Sequence, residues 1–367
     1  MKHIHITLLG KESLPVFVPI QQLKPDIVYI IGTKETTDVA KRLKQALAVI
    51  GCECIIKATE AYDIMSTIKI CEDIHTNLGA GCSYSYNVTG GTKVMAIGAF
   101  IVANQHGSKV IYTDSKNCLD LNTFESTPLD VNIGDEAIFI LQGQRLKQYD
   151  IYSKDAVKSE CSADIEAFIR CHIKPYSTIM DVYNSRKQLP NPFIKWPVRY
   201  EKHGSQITVE NNDIEVLSID HKDSFKLLFE GRWWETLVAD AVASWSGGLF
   251  EVWQNVKFEP TNKPAGNKAP DKNEVDILVN VGNSFIFVEC KSGAVTQDNI
   301  YKLAAIRQTY GSDKSKSVLV SYRKLNDELM EKAKENKISV IAPTNKYHST
   351  LEQIPRKLDE ILSSLKA

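Results

Sequence analysis

The stretch that decides the fold runs from Asn273 to Ser292 and reads N-E-V-D-I-L-V-N-V-G-N-S-F-I-F-V-E-C-K-S. Two apolar runs flank Gly282-Asn283, a dipeptide that suits the two-residue turn of a β-hairpin. The segment therefore predicts two antiparallel strands joined by a tight turn.

The register that follows from this turn brings charged residues together. It places Asp276 opposite Glu289 and Glu274 opposite Lys291. Because side chains alternate along a strand, three carboxylates and one ammonium then share one face of the hairpin. Carboxylates directly opposite each other repel, and a bound divalent cation would offset that repulsion.

This arrangement suits the hydrolysis of a phosphodiester, which needs a metal ion to neutralise phosphate charge and to generate hydroxide near neutral pH. Oxygen ligands favour Mg²⁺ or Mn²⁺. We expect Asp276 and Glu289 to hold the ion, with the carbonyl of Cys290 as a further ligand. Lys291 would orient or deprotonate the attacking water and stabilise the developing negative charge.

The spacing of Asp276, Glu289 and Lys291 resembles the PD-(D/E)XK nuclease superfamily, whose pattern is Asp, a hairpin, then Asp/Glu-X-Lys. The resemblance implies a restriction-endonuclease-like α/β domain and a further Glu from the preceding helix, which Glu235 matches. An apolar helical stripe supports that helix; it consists of Trp234, Leu237, Val238, Ala241, Val242 and Trp245. Val275 replaces the proline of the family pattern, and Glu274 is an extra acid without an assigned role.

Length and composition place the chain among soluble globular proteins of two or more domains. It has 367 residues, of which 43% are hydrophobic and 24% charged. A net charge of −1 gives no bulk attraction to nucleic acid, so such binding would need a local patch. No apolar run reaches transmembrane length and no signal peptide is evident. The eight cysteines lack metal-site spacing, which favours reduced thiols and a cytoplasmic location without membrane contact.

Three regions follow each other along the chain. Residues 1–145 alternate strand and helix patterns, which predicts a mostly parallel sheet with helices on both faces, in the manner of a Rossmann-like domain. Within them, Ala137–Leu141 is expected to be an edge strand. Residues 146–225 are predicted to be a connector with short strands, and residues 226–367 the nuclease domain. A loop upstream of the hairpin carries Lys263, Lys268 and Lys272, which are candidates for phosphate contacts.

A candidate ligand site lies in the first region, where a predicted strand is followed by Thr89-Gly90-Gly91-Thr92-Lys93 and an apolar helix. Glycines let a backbone approach a ligand closely, and the N–H groups at a helix start suit a phosphate. Ligands of such sheets collect at the carboxyl ends of the strands. The other candidate positions at these ends are Leu9, Gly10, Lys11, Ser13, Thr33 and Lys34. Neither a dinucleotide nor a Walker glycine pattern is present.

Taken together, the T-G-G-T-K segment, the connector and the hairpin acids resemble the CARF–nuclease effectors of type III CRISPR systems. The resemblance covers nearly the whole chain. It implies that the first domain binds a cyclic oligoadenylate, most often cyclic tetra-adenylate, across the axis of a homodimer. It also implies that the ligand activates a metal-dependent nuclease for DNA or RNA, mainly single-stranded.

Other interpretations of the same residues stay open. Glu274 and Lys291 could form an ordinary cross-strand ion pair, and Glu235 could be a solvated helix residue. The T-G-G-T-K segment could be a helix cap and turn without a ligand. For the whole chain, the alternative is a nucleotide-sensing regulator that binds nucleic acid or a partner without hydrolysing it.

Overall fold

The computed structural model describes residues 1–79, 81–114, 117–129, 135–144, 146–259, 274–282, 284–311, 315–344 and 350–366. The chain divides into two compact units, Met1–Leu146 (the first unit) and Lys147–Ala367 (the second unit). Both units have an α/β fold, as the sequence predicts. Within the described residues, no helix is both long and apolar enough to cross a membrane.

The first unit contains seven strands in its described residues: β1 Lys2–Leu8, β2 Ile27–Gly32, β3 Glu53–Ala58, β4 Cys82–Asn87, β5 Lys109–Thr113, β6 Asn117–Asp120 and β7 Ser126–Pro128. Its helices are α1 Leu14–Leu23, α2 Thr37–Val49, α3 Ile64–Leu78, α4 Lys93–Gln105 and α5 Asp135–Leu141. The strand order is β3-β2-β1-β4-β5-β6-β7. The pairs among β1 to β5 are parallel, and β6 and β7 add an antiparallel edge.

This topology places the candidate ligand loops side by side. Every residue of β2 is buried, as expected for a strand covered on both faces of a parallel sheet. Because β2, β1, β4 and β5 are parallel neighbours, their carboxyl ends meet at one edge of the sheet. The segments after Leu8, Gly32, Asn87 and Thr113 therefore lie along that edge.

The predicted edge strand at Ala137–Leu141 is wrong, because these residues lie in α5. A short apolar run fits a buried helix as well as a strand, and periodicity alone does not separate the two. The helix packs against α2, and Gly143, just after it, lies beside the Arg42 side chain.

The second unit contains strands β8 Leu146–Ile151, β9 Phe193–Lys195, β10 Val198–His203, β11 Gln206–Asn211, β12 Ile214–Asp220, β13 Val252–Phe258, β14 Glu274–Asn280, β15 Phe285–Lys291, β16 Lys316–Ser321 and β17 Ile338–Ile341. Its helices are α6 Ala156–Cys171, α7 Ile173–Arg186, α8 Ser224–Glu230, α9 Arg232–Ser246, α10 Gln297–Tyr310, α11 Asp327–Glu335 and α12 Thr350–Lys366. In the described residues of this unit, the strands form a six-stranded sheet, β17-β16-β15-β14-β13-β8, and a four-stranded antiparallel sheet, β12-β11-β10-β9.

Part of the predicted connector is built into the second unit. Strand β8 completes the edge of the six-stranded sheet, next to β13. Helix α6 packs along α9, where Ser159 and Tyr152 both donate hydrogen bonds to the Asp240 carboxylate, at 2.6 and 2.8 Å. The predicted domain boundaries at residues 145 and 225 stay a prediction.

Candidate active site

The hairpin of β14 and β15 has the register that the sequence predicts. Residues Ile277 and Val288 are partners, as are Asn280 and Phe285, and the Val281 N–H donates to the Ser284 carbonyl at 3.0 Å. Asn283 of the predicted turn lies outside the described residues. The pairs of the two strands end at Ile277 and Val288, and Asp276 and Glu289 are the next residues on each strand.

Asp276 is turned towards the second strand of the hairpin. Its Oδ2 accepts a hydrogen bond from the backbone N–H of Cys290 at 2.6 Å. Burial raises the pKa of the Asp276 carboxyl well above its ordinary value, and the negative charges of Glu289 and Glu235 raise it further. An acid placed in this way gives up its proton reluctantly unless a cation compensates the charge.

Glu289 is the most buried acid of the site, at 2% exposure. Its Oε1 accepts a hydrogen bond from Lys291 Nζ at 2.7 Å. Its Oε2 is buried and has no partner among the described residues. A buried carboxylate oxygen without a donor is costly, so this atom is suited to receive a ligand.

Lys291 is a charged ammonium in this setting. Burial lowers the pKa of its side chain, but Glu289 and Asp276 outweigh that effect, and the net result is a raised pKa. The side chain keeps 25% of its surface exposed, so it connects the buried acids to solvent.

Glu235 joins the site from the first turn of α9. Gly231, with φ of +79°, turns the chain from α8 into α9 and lies against the residue after Lys291, since a Cβ there would be 2.6 Å from Ser292 Oγ. The indole N–H of Trp234 donates to the Val320 carbonyl at 3.1 Å and holds the helix on the sheet. Burial raises the pKa of Glu235, and the charges of Glu289 and Glu274 add to the increase, whereas Arg232 and Lys291 oppose it.

The strand on the other side of Asp276 is irregular. The pairs of β13 with β14 include Gln254 with Ile277 and Val256 with Val275, and Asn255 lies between them with φ of +52°. Its side chain donates to Asp150 of β8 at 2.8 Å. Glu274, the extra acid, is the partner of Lys257 in this pair of strands, so the irregularity lies beside the acids.

The residues of the site are compatible with a hard divalent cation. Two acids on one hairpin face, one with an unpartnered buried oxygen, supply the one or two carboxylates by which Mg²⁺ is usually held beside water and substrate phosphate. The site is not a preformed metal cage, because among the described residues no three His, Cys, Asp or Glu side chains are grouped to hold a metal. The Cys290 side chain is buried, and burial raises the pKa of its thiol well above the ordinary value. Its carbonyl therefore stays the predicted ligand.

The predicted lysines upstream of the hairpin are not described by the structure, but another lysine lies at the site. Lys263, Lys268 and Lys272 lie outside the described residues. Lys302 of α10 was not among the predicted residues, yet its Nζ lies 3.8 Å from Glu289 Oε1. No sequence signal marks it, because only the packing of α10 against β15 brings it there.

The T-G-G-T-K segment of the first unit packs closely on the end of β1. A Cβ at Gly90 would lie 2.1 Å from the Leu8 carbonyl oxygen, and Gly91 has φ of +74°. Both positions therefore require glycine. A Cβ at Gly10 would meet Gly91 N at 3.4 Å, so the two predicted loops are adjacent.

The threonines of this segment are engaged within the protein. Thr89 Oγ1 donates to Asn87 Oδ1 at 2.5 Å and accepts from the Thr113 N–H at 2.7 Å. Thr92 caps α4, accepting from Met95 N at 3.2 Å, and it also donates to the Ala61 carbonyl. Lys93 is exposed at the start of α4. The hydroxyls of Thr89 and Thr92 therefore stabilise the loop, while Lys93 is available to a ligand.

The remaining predicted ligand positions differ in accessibility. Leu9 and Ser13 are buried, whereas Lys11 and Lys34 are exposed, and Gly10 and Thr33 are partly exposed. Thr33 N–H donates to Thr36 Oγ1 at 2.9 Å and so closes its own turn. Among these predicted positions the two lysines are the exposed side chains, and Glu12 and Glu35 beside them are exposed as well.

A Rossmann-like unit with accessible loops at its strand ends, followed by a unit with an acidic hairpin, is the arrangement that the sequence predicts for a ligand-sensing protein with a nuclease domain. Comparisons with known proteins agree. Residues 222–356 match the family model described as Card1-like, endonuclease domain, and residues 3–117 match the one described as HFX_2341_N-like, N-terminal. A comparison with curated proteins gives no match.

Solved structures resemble the chain over its full length. Can2 from Sulfobacillus thermosulfidooxidans, in complex with cyclic tetra-adenylate, has a TM-score of 0.70 at 18% identity, covering 98% of this chain and 99% of its own. Protein VC1899 from Vibrio cholerae has a TM-score of 0.73 at 16% identity, covering 99% and 98%. A type III CRISPR defence DNA nuclease activated by cyclic oligoadenylate has 0.62 at 14%, covering 98% of this chain but 51% of its own. In fold the chain is therefore similar to these proteins, and its residues 222–356 match a Card1-like endonuclease domain.

Proposed function

We propose that this protein is a divalent-metal-dependent nuclease that a cyclic oligoadenylate activates in type III CRISPR antiviral defence. The observation that carries the proposal is the cluster of Asp276, Glu289 and Lys291 on one hairpin of a Card1-like endonuclease domain. The full-length similarity to Can2 with bound cyclic tetra-adenylate supports that ring as the activator.

In this proposal, Asp276, Glu289 and the Cys290 carbonyl hold Mn²⁺ or Mg²⁺. When bound, the ion neutralises phosphate charge and lowers the pKa of a coordinated water. Lys291 stays protonated, because Glu289 and Asp276 raise its pKa. It is therefore suited to orienting the water and stabilising negative charge on the phosphate, rather than to removing a proton.

Glu235 is the third acid of the proposed site. Burial raises its pKa, the charges of Glu289 and Glu274 raise it further, and the charge of Lys291 lowers it. A carboxyl in that environment can hold a proton that a fully exposed glutamate would have lost. We assign it the task of accepting or holding a proton at the edge of the site.

The first unit is proposed to bind the activator along the edge that Gly10, Gly90, Gly91 and Lys93 share. The glycines let the loops after β1 and β4 pack closely together, and Lys93 supplies a charge beside them at the start of α4. The other predicted contacts are Leu9, Lys11, Ser13, Thr33, Lys34, Thr89 and Thr92.

A homodimer is part of the proposal, because a ring with a twofold axis fits a site formed by two copies. Helix α4 has an exposed apolar stripe on the same face as Lys93, its first residue. Ile97, Phe100 and Ile101 follow it at helical spacing and are 54%, 40% and 36% exposed. We infer that the second copy covers this stripe.

One experiment tests the function. The full chain is incubated with labelled single-stranded DNA and RNA in Mn²⁺, with and without cyclic tetra-adenylate, and with a chelator in a parallel series. We expect cleavage only when both activator and metal are present, and none from Glu289→Gln. Cleavage that persists in the chelator, or no cleavage of either strand in any condition, would contradict the proposal.

A further inference from the structure

A second lysine reaches the buried acids from the solvent side. Lys302 lies in the second turn of α10, and its Nζ is 3.8 Å from Glu289 Oε1. The Glu289 side chain is 3% exposed, whereas that of Lys302 is 41% exposed. The ammonium of Lys302 therefore stands at the mouth of the site.

Lys302 forms a loose ion pair with Glu289 rather than a hydrogen bond. Lys291 already donates to the same Glu289 oxygen at 2.7 Å. At 3.8 Å, Lys302 is beyond hydrogen-bond distance, and within the described residues it donates no hydrogen bond. An exposed lysine held in this way contributes little to stability, so its donors are available to another anion.

The negative charge of the site favours a further cation that contacts the substrate. The Glu289 carboxylate would repel a polyanion that approaches it, and Lys291 already donates a hydrogen bond to that carboxylate. We propose that Lys302 contacts a backbone phosphate of the bound strand and positions that strand over Glu289. The inference rests on the proposed nuclease function and adds a substrate contact to it.

The test measures binding separately from cleavage. A fluorescein-labelled single-stranded DNA with phosphorothioate linkages resists hydrolysis, and its affinity for the full chain is measured by anisotropy with cyclic tetra-adenylate and Mn²⁺ over a series of salt concentrations. We expect Lys302→Met to weaken binding about tenfold. The slope of log affinity against log salt should become shallower by about 0.7, the value for one phosphate contact on a single strand.

Two variants control the measurement. Lys302→Arg keeps the charge and should retain most of the slope. Lys357→Met removes a lysine that pairs with Glu360 at 2.7 Å on α12, and it should change neither slope nor affinity. On a cleavable strand, Lys302→Met should raise KM with little change in kcat, because the contact is made equally in the ground and transition states.

The outcomes separate this inference from the proposed function. An unchanged slope in Lys302→Met, or an equal change in Lys357→Met, would overturn the phosphate contact, as would a wild-type protein that fails to bind the strand. A protein whose binding depends on Lys302 but that never cleaves would leave the contact standing and overturn the nuclease function.

Discussion

The two oxygens of Glu289 have different surroundings. Oε1 receives Lys291 at 2.7 Å and has Lys302 at 3.8 Å, whereas Oε2 is buried without a partner among the described residues. One oxygen thus fixes the side chain and the other is available to a cation.

At this scale, the first prediction concerns Lys291→Met, which removes the ammonium but keeps the length of the side chain. Because the charge stabilises negative charge on the phosphate, we expect kcat for single-stranded substrate to fall by about 10²–10⁴-fold. Binding of cyclic tetra-adenylate, measured by calorimetry, should stay unchanged. A variant that cleaves within a few-fold of the wild-type rate would show that Lys291 has no part in the chemistry.

The second prediction concerns Asp276→Asn and the pH dependence of stability without metal. Burial and the neighbouring acids raise the pKa of Asp276 in the folded protein. The protonated form therefore favours folding, and that contribution is lost as pH rises from the ordinary value of about 3.9 through the raised pKa. Asparagine stays neutral, so the variant should equal the wild type in Tm near pH 4 and exceed it by a few degrees at neutral pH.

Thermal unfolding in a chelator across this pH range measures the difference. A gap in Tm that does not change with pH would mean that the ionisation of Asp276 is not coupled to folding. Added Mn²⁺ should reverse the order at neutral pH, because only the wild type gains a bound cation.

At the scale of elements, the loop between β4 and α4 depends on its contact with the end of β1. The third prediction is that Gly90→Ala destabilises the first unit by about 1–3 kcal/mol and abolishes the response to the activator, because its Cβ would lie 2.1 Å from the Leu8 carbonyl oxygen. Differential scanning calorimetry and cleavage with cyclic tetra-adenylate measure the two effects. Gly81→Ala is the matched control, since a Cβ there meets no atom within 4 Å; equal behaviour of the two variants would contradict the prediction.

How far the sequence predicts these elements depends on how local their signals are. The register of β14 and β15 follows from the turn dipeptide and the alternating side chains, and the parallel strands of the first unit follow from the alternation of strand and helix patterns along the chain. Helix α1 has no such signal, because Pro15 and Pro19 interrupt its run, although proline is tolerated in the first turn. Lys302 could not be predicted at all, since its proximity to Glu289 arises from the packing of distant segments.

At the scale of the whole molecule, the fourth prediction is that the protein is a dimer through α4. Sedimentation equilibrium should show Phe100→Glu to weaken the dimer at least about tenfold, because a charge would enter an apolar contact, and cleavage with cyclic tetra-adenylate should fall with it. Ile194→Glu is the control, since Ile194 is an apolar side chain on β9 that is more exposed than Phe100, at 65%. A dimer that withstands Phe100→Glu would place the interface elsewhere.

The thiol among the acids has a practical consequence. Cys290 is buried between Glu289 and Lys291, and its pKa is raised, whereas Cys171 is exposed. A maleimide dye should therefore label Cys171 quickly and leave Cys290 almost unmodified, because the thiolate is the reactive form. In a Cys171→Ser protein, slow alkylation at position 290 would report the opening of the hairpin. In the wild type, a fluorophore on Cys171 could be followed without disturbing the acids of the hairpin.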